Sequence, residues 1–128
     1  MFTTGVIRAF TARHALSGNF GPESVEHTHR YRVELVCRTE TLDENGFSFD
    51  IALLEKILAE ELTAIDDRFL NALEFFRDRQ PSLENLAVYL SGRIVSRLSE
   101  TDDRVRITRL EVKLWESDTA WAAYETAP

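Results

Sequence analysis

Cysteine and histidine are scarce in this chain: 128 residues hold one cysteine and three histidines. The single thiol, Cys37, excludes an internal disulfide and fits a reducing cytoplasm. It shares the strand parity of Val33 and Leu35, so it reads as a packed apolar residue rather than a nucleophile. No apolar run approaches the roughly 20 residues that span a bilayer. The opening Met1-Phe2-Thr3-Thr4-Gly5 has neither the basic nor the long apolar region of a secretion signal. The expected location is therefore cytoplasmic, with no membrane partner. Positive charge is also short, with 15 Lys and Arg against 22 Asp and Glu and a net charge of −7. That balance disfavours nucleic acid or an anionic membrane as a partner. An anionic substrate would have to rely on a metal or on nearby arginines. No repeat, low-complexity tract or second domain is visible, and 44% hydrophobic residues suffice for a core. The expectation is one domain over residues 1–128.

The three histidines fall in one short stretch, His14 and then His27 and His29 within Glu26-His27-Thr28-His29-Arg30-Tyr31. Residues i and i+2 of a strand point to the same face, so His27 and His29 present two imidazoles side by side. His14 ends the preceding apolar run and can return to them across a hairpin. An exposed H-x-H pair on a strand edge is common and by itself says little. Here Tyr31, Val33 and Leu35 continue the parity of His27 and His29, and Val6, Phe10 and Ala12 share that of His14. The imidazoles thus extend an apolar face, where buried rings need partners. Three of them converging match the ligand set of a catalytic zinc with its fourth position open.

Residues 4–14 and 27–38 read as strands, joined by the loop chemistry of Ser17-Gly18-Asn19-Phe20-Gly21-Pro22. That link is too short for a crossover helix, so the strands are expected to be antiparallel neighbours. Asp50 is an N-cap for a helix over 51–65, with Ile51, Leu54, Leu58, Leu62 and Ile65 as its apolar stripe. Ser82 caps a second helix over 83–98, striped by Leu83, Leu86, Ala87, Leu90, Ile94 and Leu98. A third strand is expected at about 105–116, with Leu110, Val112, Leu114 and Glu116 on one face, and a fourth from Ala120 to Glu125. Two such helices cover only one face of a four-stranded antiparallel sheet, so the other face calls for an oligomer.

Six motifs in order carry a family resemblance that runs nearly end to end. They are Phe10-Thr11-Ala12-Arg13-His14, His27-Thr28-His29, Gly46-Phe47-Ser48-Phe49-Asp50, Ile65-Asp66-Asp67-Arg68-Phe69-Leu70-Asn71, Pro81-Ser82-Leu83-Glu84-Asn85-Leu86-Ala87, and the strand carboxylate Glu116 with Tyr124 beyond it. The chain resembles the 6-pyruvoyltetrahydropterin and 6-carboxytetrahydropterin synthases. The resemblance implies an α+β tunnelling fold (T-fold), β-β-α-α-β-β, whose subunits join into a barrel, usually as a dimer of trimers. It implies Zn2+ held by His14, His27 and His29, and a pterin substrate, 7,8-dihydroneopterin triphosphate, bound where subunits meet. Glu116 then grips the pterin's amino-pyrimidine edge, since a carboxylate can accept two parallel N–H bonds. The implied setting is a route to 7-deazaguanine compounds such as queuosine, or to tetrahydropterin.

The chain departs from the family at the Cys-Asp-His set that moves protons. No thiol precedes His27, and Asp67 stands where the family has its histidine, next to the matching Asp66. Glu23, four residues before His27, is the natural substitute base. The candidate catalytic residues are therefore Glu23, Asp66 and Asp67. Loop acids are usually exposed and inert, which is the plain alternative for Glu23 and Glu26. Arg68, Arg13 and Arg30 are candidates for phosphate contact, although Arg13 and Arg30 have the opposite parity to the histidines. Some relatives with glutamate in place of the cysteine cleave the pterin side chain and feed folate synthesis. A binding protein for pterins or purines that keeps the metal and Glu116 is the alternative outside enzymology.

Overall fold

The computed structural model describes residues 1–101 and 106–128. Its elements are β1 (Phe2–His14), β2 (His27–Thr39), α1 (Ile51–Thr63), β3 (Arg68–Phe69), α2 (Leu83–Leu98), β4 (Ile107–Trp115) and β5 (Trp121–Thr126). The expected start of the third strand, residue 105, lies outside the described residues. Short 3-10 turns occupy Gly21–Ser24, Leu70–Ala72 and Glu74–Phe76.

One sheet runs in the order β3-β1-β2-β4-β5. The β1–β2 and β4–β5 pairs are antiparallel, as their short connections require; β2 and β4, joined through both helices, are antiparallel too, and β3 lies parallel to β1 at Ala12 and Arg13. The sheet therefore has five strands where the sequence pattern predicts four. Two residues are too few to show a period of two, and β3 exists only because the segment after α1 docks on the β1 edge. The Asp67 N–H donates to the Thr11 carbonyl at 2.6 Å, the Thr11 N–H donates to the Asp66 carboxylate at 3.0 Å, and Asp67 turns the chain at φ 57°.

Both helices start where their caps stand: the Asp50 side chain accepts from the Leu53 N–H, and Ser82 from the Asn85 N–H. Helix α1 ends two residues before the expected boundary, although Ile65 is still buried. Its stripe is also rotated from the expected one. Ile51 is exposed, while Ile57 and Glu61 join Leu54, Leu58 and Leu62 in the interior. Glu61 can be buried because Arg93 and Arg97 of α2 both donate to its carboxylate.

Helix α1 lies over β1, and α2 over β4 and β5. The core between helices and sheet takes Val6, Phe10 and Ala12 from β1, Tyr31, Val33, Leu35 and Cys37 from β2, and Leu110, Val112 and Leu114 from β4. The opposite face of the sheet is left uncovered by helices, with Ile7 and Trp121 exposed on it. Among the described residues, no helix is long and apolar enough to cross a membrane.

Candidate metal centre

The histidines meet because of strand register. In the β1–β2 ladder His14 pairs with His27, and Ala12 with His29, so all three rings gather at one end of the hairpin. Their centroids lie 4.4, 4.8 and 5.0 Å apart. His14 Nδ1 lies 2.7 Å from the Pro81 carbonyl and His27 Nδ1 lies 2.7 Å from the Val25 carbonyl. A carbonyl can only accept, so each Nδ1 carries a hydrogen, and in the neutral rings each Nε2 presents a lone pair. Yet the two Nε2 atoms face one another at 2.8 Å. Two lone pairs at that distance repel unless a proton or a cation lies between them. His29 Nε2 is buried with no hydrogen-bond partner among the described residues, a costly state for a polar atom.

Glu23 joins the three rings. Its Oε2 lies 3.1 Å from His27 Nε2, and one donor atom from each of His14, Glu23, His27 and His29 falls within 4.8 Å of every other. Three imidazole nitrogens and a carboxylate oxygen suit zinc, whose tetrahedral bonds of about 2.0–2.1 Å place ligands about 3.4 Å apart. The residues present therefore fit a metal, and the carbonyls of Pro81 and Val25 supply the outer hydrogen bonds that metal-binding histidines normally make.

Local structure explains how Glu23 arrives there. The turn Gly21–Ser24 is pinned by the Leu16 N–H donating to the Glu23 carbonyl at 2.8 Å. The Ser24 hydroxyl donates to the Gly18 carbonyl and accepts from the Phe20 N–H. Gly18 has φ 118°, and a Cβ there would come within 2.9 Å of the Phe20 ring, so the loop requires glycine at this position.

Two side-chain amides hold the chain just past His14. Asn71 accepts from the Ala15 N–H and donates to the Ala15 carbonyl, at 3.0 and 2.8 Å. Gln80 does the same for Ser17, at 2.8 and 2.6 Å. Each amide imitates a strand partner and prolongs the β1 edge beyond β3. Sequence reasoning assigns no role to Gln80 or to the Pro81 carbonyl, and it reads Asn71 only as a motif position. A side-chain amide that replaces a backbone ladder leaves no periodic signal.

Glu116, just past β4, lines a cleft of about 650 Å³ with His29, Arg30, Tyr31, Arg32 and Trp115. Burial lowers the His14 pKa, with the neighbouring imidazoles adding to the effect, while the Pro81 hydrogen bond and the Glu116 charge oppose it. Tyr31, buried and stacked on Phe10 at 5.0 Å, is pushed well above the usual tyrosine range by desolvation and then by the charges of Glu116 and Glu23. Both carboxylates therefore act on one buried phenol beside the imidazoles.

Asp66 and Asp67 do not join this group within the chain. They line a separate cleft of about 560 Å³ with Arg13, Arg68, Phe69 and Ala72. Arg13 is occupied by the Glu26 carboxylate and the Asp67 carbonyl. Arg30 is the one of the three candidate phosphate arginines that lines the Glu116 cleft. Cys37 is fully buried and its thiol is pushed up to about 12 by desolvation, in keeping with a packing role.

The 6-pyruvoyl tetrahydropterin synthase family profile matches residues 4–127. A Caenorhabditis elegans protein described as a candidate 6-pyruvoyl tetrahydrobiopterin synthase is 29% identical over 83 residues, 64% of this chain and 59% of that protein's length. Among solved structures, a C. elegans 6-pyruvoyl tetrahydropterin synthase superposes with a TM-score of 0.81 at 22% identity, covering 98% of this chain and 96% of its own. The Plasmodium vivax 6-pyruvoyl tetrahydropterin synthase does so at 0.80 and 15% identity, with both chains covered in full. That enzyme has also been solved with a glutamate described as catalytic changed to alanine or to cysteine. These likenesses show the α+β fold of the synthases, two helices on one sheet.

Proposed function

Because the chain belongs to the 6-pyruvoyl tetrahydropterin synthase family, a family of lyase-type pterin enzymes, we propose that it is a zinc-dependent pterin lyase acting on 7,8-dihydroneopterin triphosphate. The observation that carries this reading is the convergence of three imidazoles, with the His14 and His27 Nε2 atoms 2.8 Å apart and the His29 Nε2 buried with no partner among the described residues. His14, His27 and His29 hold the metal. Zinc bound there would act as a Lewis acid on a side-chain hydroxyl of the pterin.

The protein's own groups do the rest. Glu116 accepts the N–H bonds of the amino-pyrimidine edge and fixes the ring in its cleft. Glu23 takes the proton from the pterin side chain, the step for which the family uses a thiol. The P. vivax enzyme, with a catalytic glutamate, supports a carboxylate in that role. Arg30, which lines the same cleft as Glu116, contacts the triphosphate in this reading, since a guanidinium matches phosphate geometry.

A second reading is favoured by Glu23 itself. With a carboxylate as base, proton removal from a side-chain hydroxyl leads to cleavage of the adjacent carbon–carbon bond and release of a glycolaldehyde-type fragment, the folate-type reaction. Incubating the purified protein with dihydroneopterin triphosphate and, separately, with dihydroneopterin, then resolving the pterins, tests both. Loss of triphosphate from the first with a 6-pyruvoyl or 6-carboxy pterin product is the expected result; a 6-hydroxymethyl pterin with a glycolaldehyde-type fragment from either supports the second reading. Pterin binding without turnover of either substrate would make the chain a binding protein. In parallel, elemental analysis should find one zinc per chain, lost in the His27→Ala, His29→Ala double variant. Zinc content unchanged in that variant would remove the metal assignment.

A further inference from the structure

We propose that in the pterin-free protein Glu23 is itself the fourth ligand of the metal, so that the resting centre is a closed three-histidine, one-glutamate site. This inference rests on the metal reading above and extends it to the state before substrate arrives. The His27 Nδ1 hydrogen is committed to the Val25 carbonyl, so in the neutral ring the Nε2 lone pair faces the Glu23 carboxylate at 3.1 Å and His14 Nε2 at 2.8 Å. Three acceptors at these separations have no fixed donor between them. One cation shared by all three, and by the orphaned His29 Nε2, removes every repulsion at once.

The loop is built to deliver this carboxylate. Its backbone is tied through Glu23, Ser24 and the Gly18 turn, while the Glu23 side chain is 54% exposed and makes no other ion pair among the described residues. The turn can therefore stay in place while the side chain swings out. Closed four-ligand zinc sites are structural, whereas catalytic ones keep a position for water or substrate. With zinc bound, Glu23 in that position would exclude water until a pterin hydroxyl took its place. The exchange frees the carboxylate beside the side chain whose proton it takes, so one residue keeps the site closed and then serves as its base.

The test uses the full-length protein stripped of metal and reloaded with Co2+ or Zn2+. Wild type, Glu23→Ala and Glu23→Gln are compared by the visible spectrum of the cobalt form and by competition with a chromophoric zinc chelator, with His14→Ala as the variant that loses the metal. Circular dichroism verifies that each is folded. The expected result is a cobalt spectrum for wild type that differs from both Glu23 variants, and zinc affinity at least about tenfold weaker in Glu23→Ala, the scale on which even outer-shell groups act. Titrating 7,8-dihydroneopterin into the wild-type cobalt form should shift its spectrum as the carboxylate leaves. Equal affinities and identical spectra for wild type and Glu23→Ala would overturn the inference and leave the three-histidine site standing. Failure of wild type to bind either metal would overturn the metal reading as well.

Discussion

Three acids of this chain sit beside arginines or histidines, Glu61 buried, Glu116 half-buried and Glu23 exposed, and their surroundings assign them different work. Glu61 accepts from two arginines and ties α1 to α2, so its charge is already used. Glu23 faces imidazole lone pairs, and Glu116 faces an open cleft. Substituting the last two should therefore give separable defects. Glu23→Gln keeps shape but removes the base, and turnover should fall by at least roughly a hundredfold. Glu116→Gln turns one accepting oxygen into a donor against a donor edge, so pterin affinity should fall with a smaller effect on the chemical step. Single-turnover rates and pterin binding measured on both variants check the split. Wild-type turnover in Glu23→Gln would make Glu23 a loop acid and move attention to Asp66.

Among elements, the end of β1 depends on groups that belong to no strand. Beyond β3, the amides of Asn71 and Gln80 stand in for a strand partner at Ala15 and Ser17. The Gln80 carbonyl in turn accepts from Asn85 in the first turn of α2. Pro81, between Gln80 and the Ser82 cap, then presents its carbonyl to His14. Helix α2 is thereby coupled to the orientation of the His14 imidazole. In Asn71→Asp the donor to the Ala15 carbonyl is lost and two oxygens face each other. Stability should fall by about 1–3 kcal/mol, the range for an unsatisfied buried group. Metal retention should weaken in the same variant. Urea denaturation with and without zinc measures both; an Asn71→Asp protein matching wild type in each would show the clamp to be incidental.

For the whole molecule, the helices leave one face of the sheet bare, and β3 and β5 form its edges. On that face Lys113 lies 3.9 Å over the Trp121 ring and Arg32 lies 4.5 Å over Trp115. The exposed Trp121 and open strand edges are what association covers. An oligomer of joined sheets, a hexamer of two trimers, is the expected state, and a monomer by light scattering at micromolar concentration would contradict it. The placement of Asp66 bears on the same point. It lies on a different cleft from the imidazoles of its own chain. If Asp66 takes part in catalysis, it must reach the centre of a neighbouring copy, which only an oligomer provides.

The sequence by itself determined the parts of this protein that rest on local rules. Strand parity put His27 and His29 on the face of Tyr31 and Val33, and the short loop returned His14 to them, because an antiparallel hairpin leaves few other registers. Asp50 and Ser82 marked the helix starts because unpaired N–H groups at a helix end need an acceptor close in the chain. Ile51 was misplaced because the helical period sets a stripe's spacing, whereas packing against β1 sets its rotation. Tertiary structure alone decided the fifth strand, the amide clamps, the separation of Asp66 from the histidines and the approach of Glu23 to His27. Each depends on contacts between distant segments or on the shape of one loop, and neither leaves a periodicity for a sequence to display.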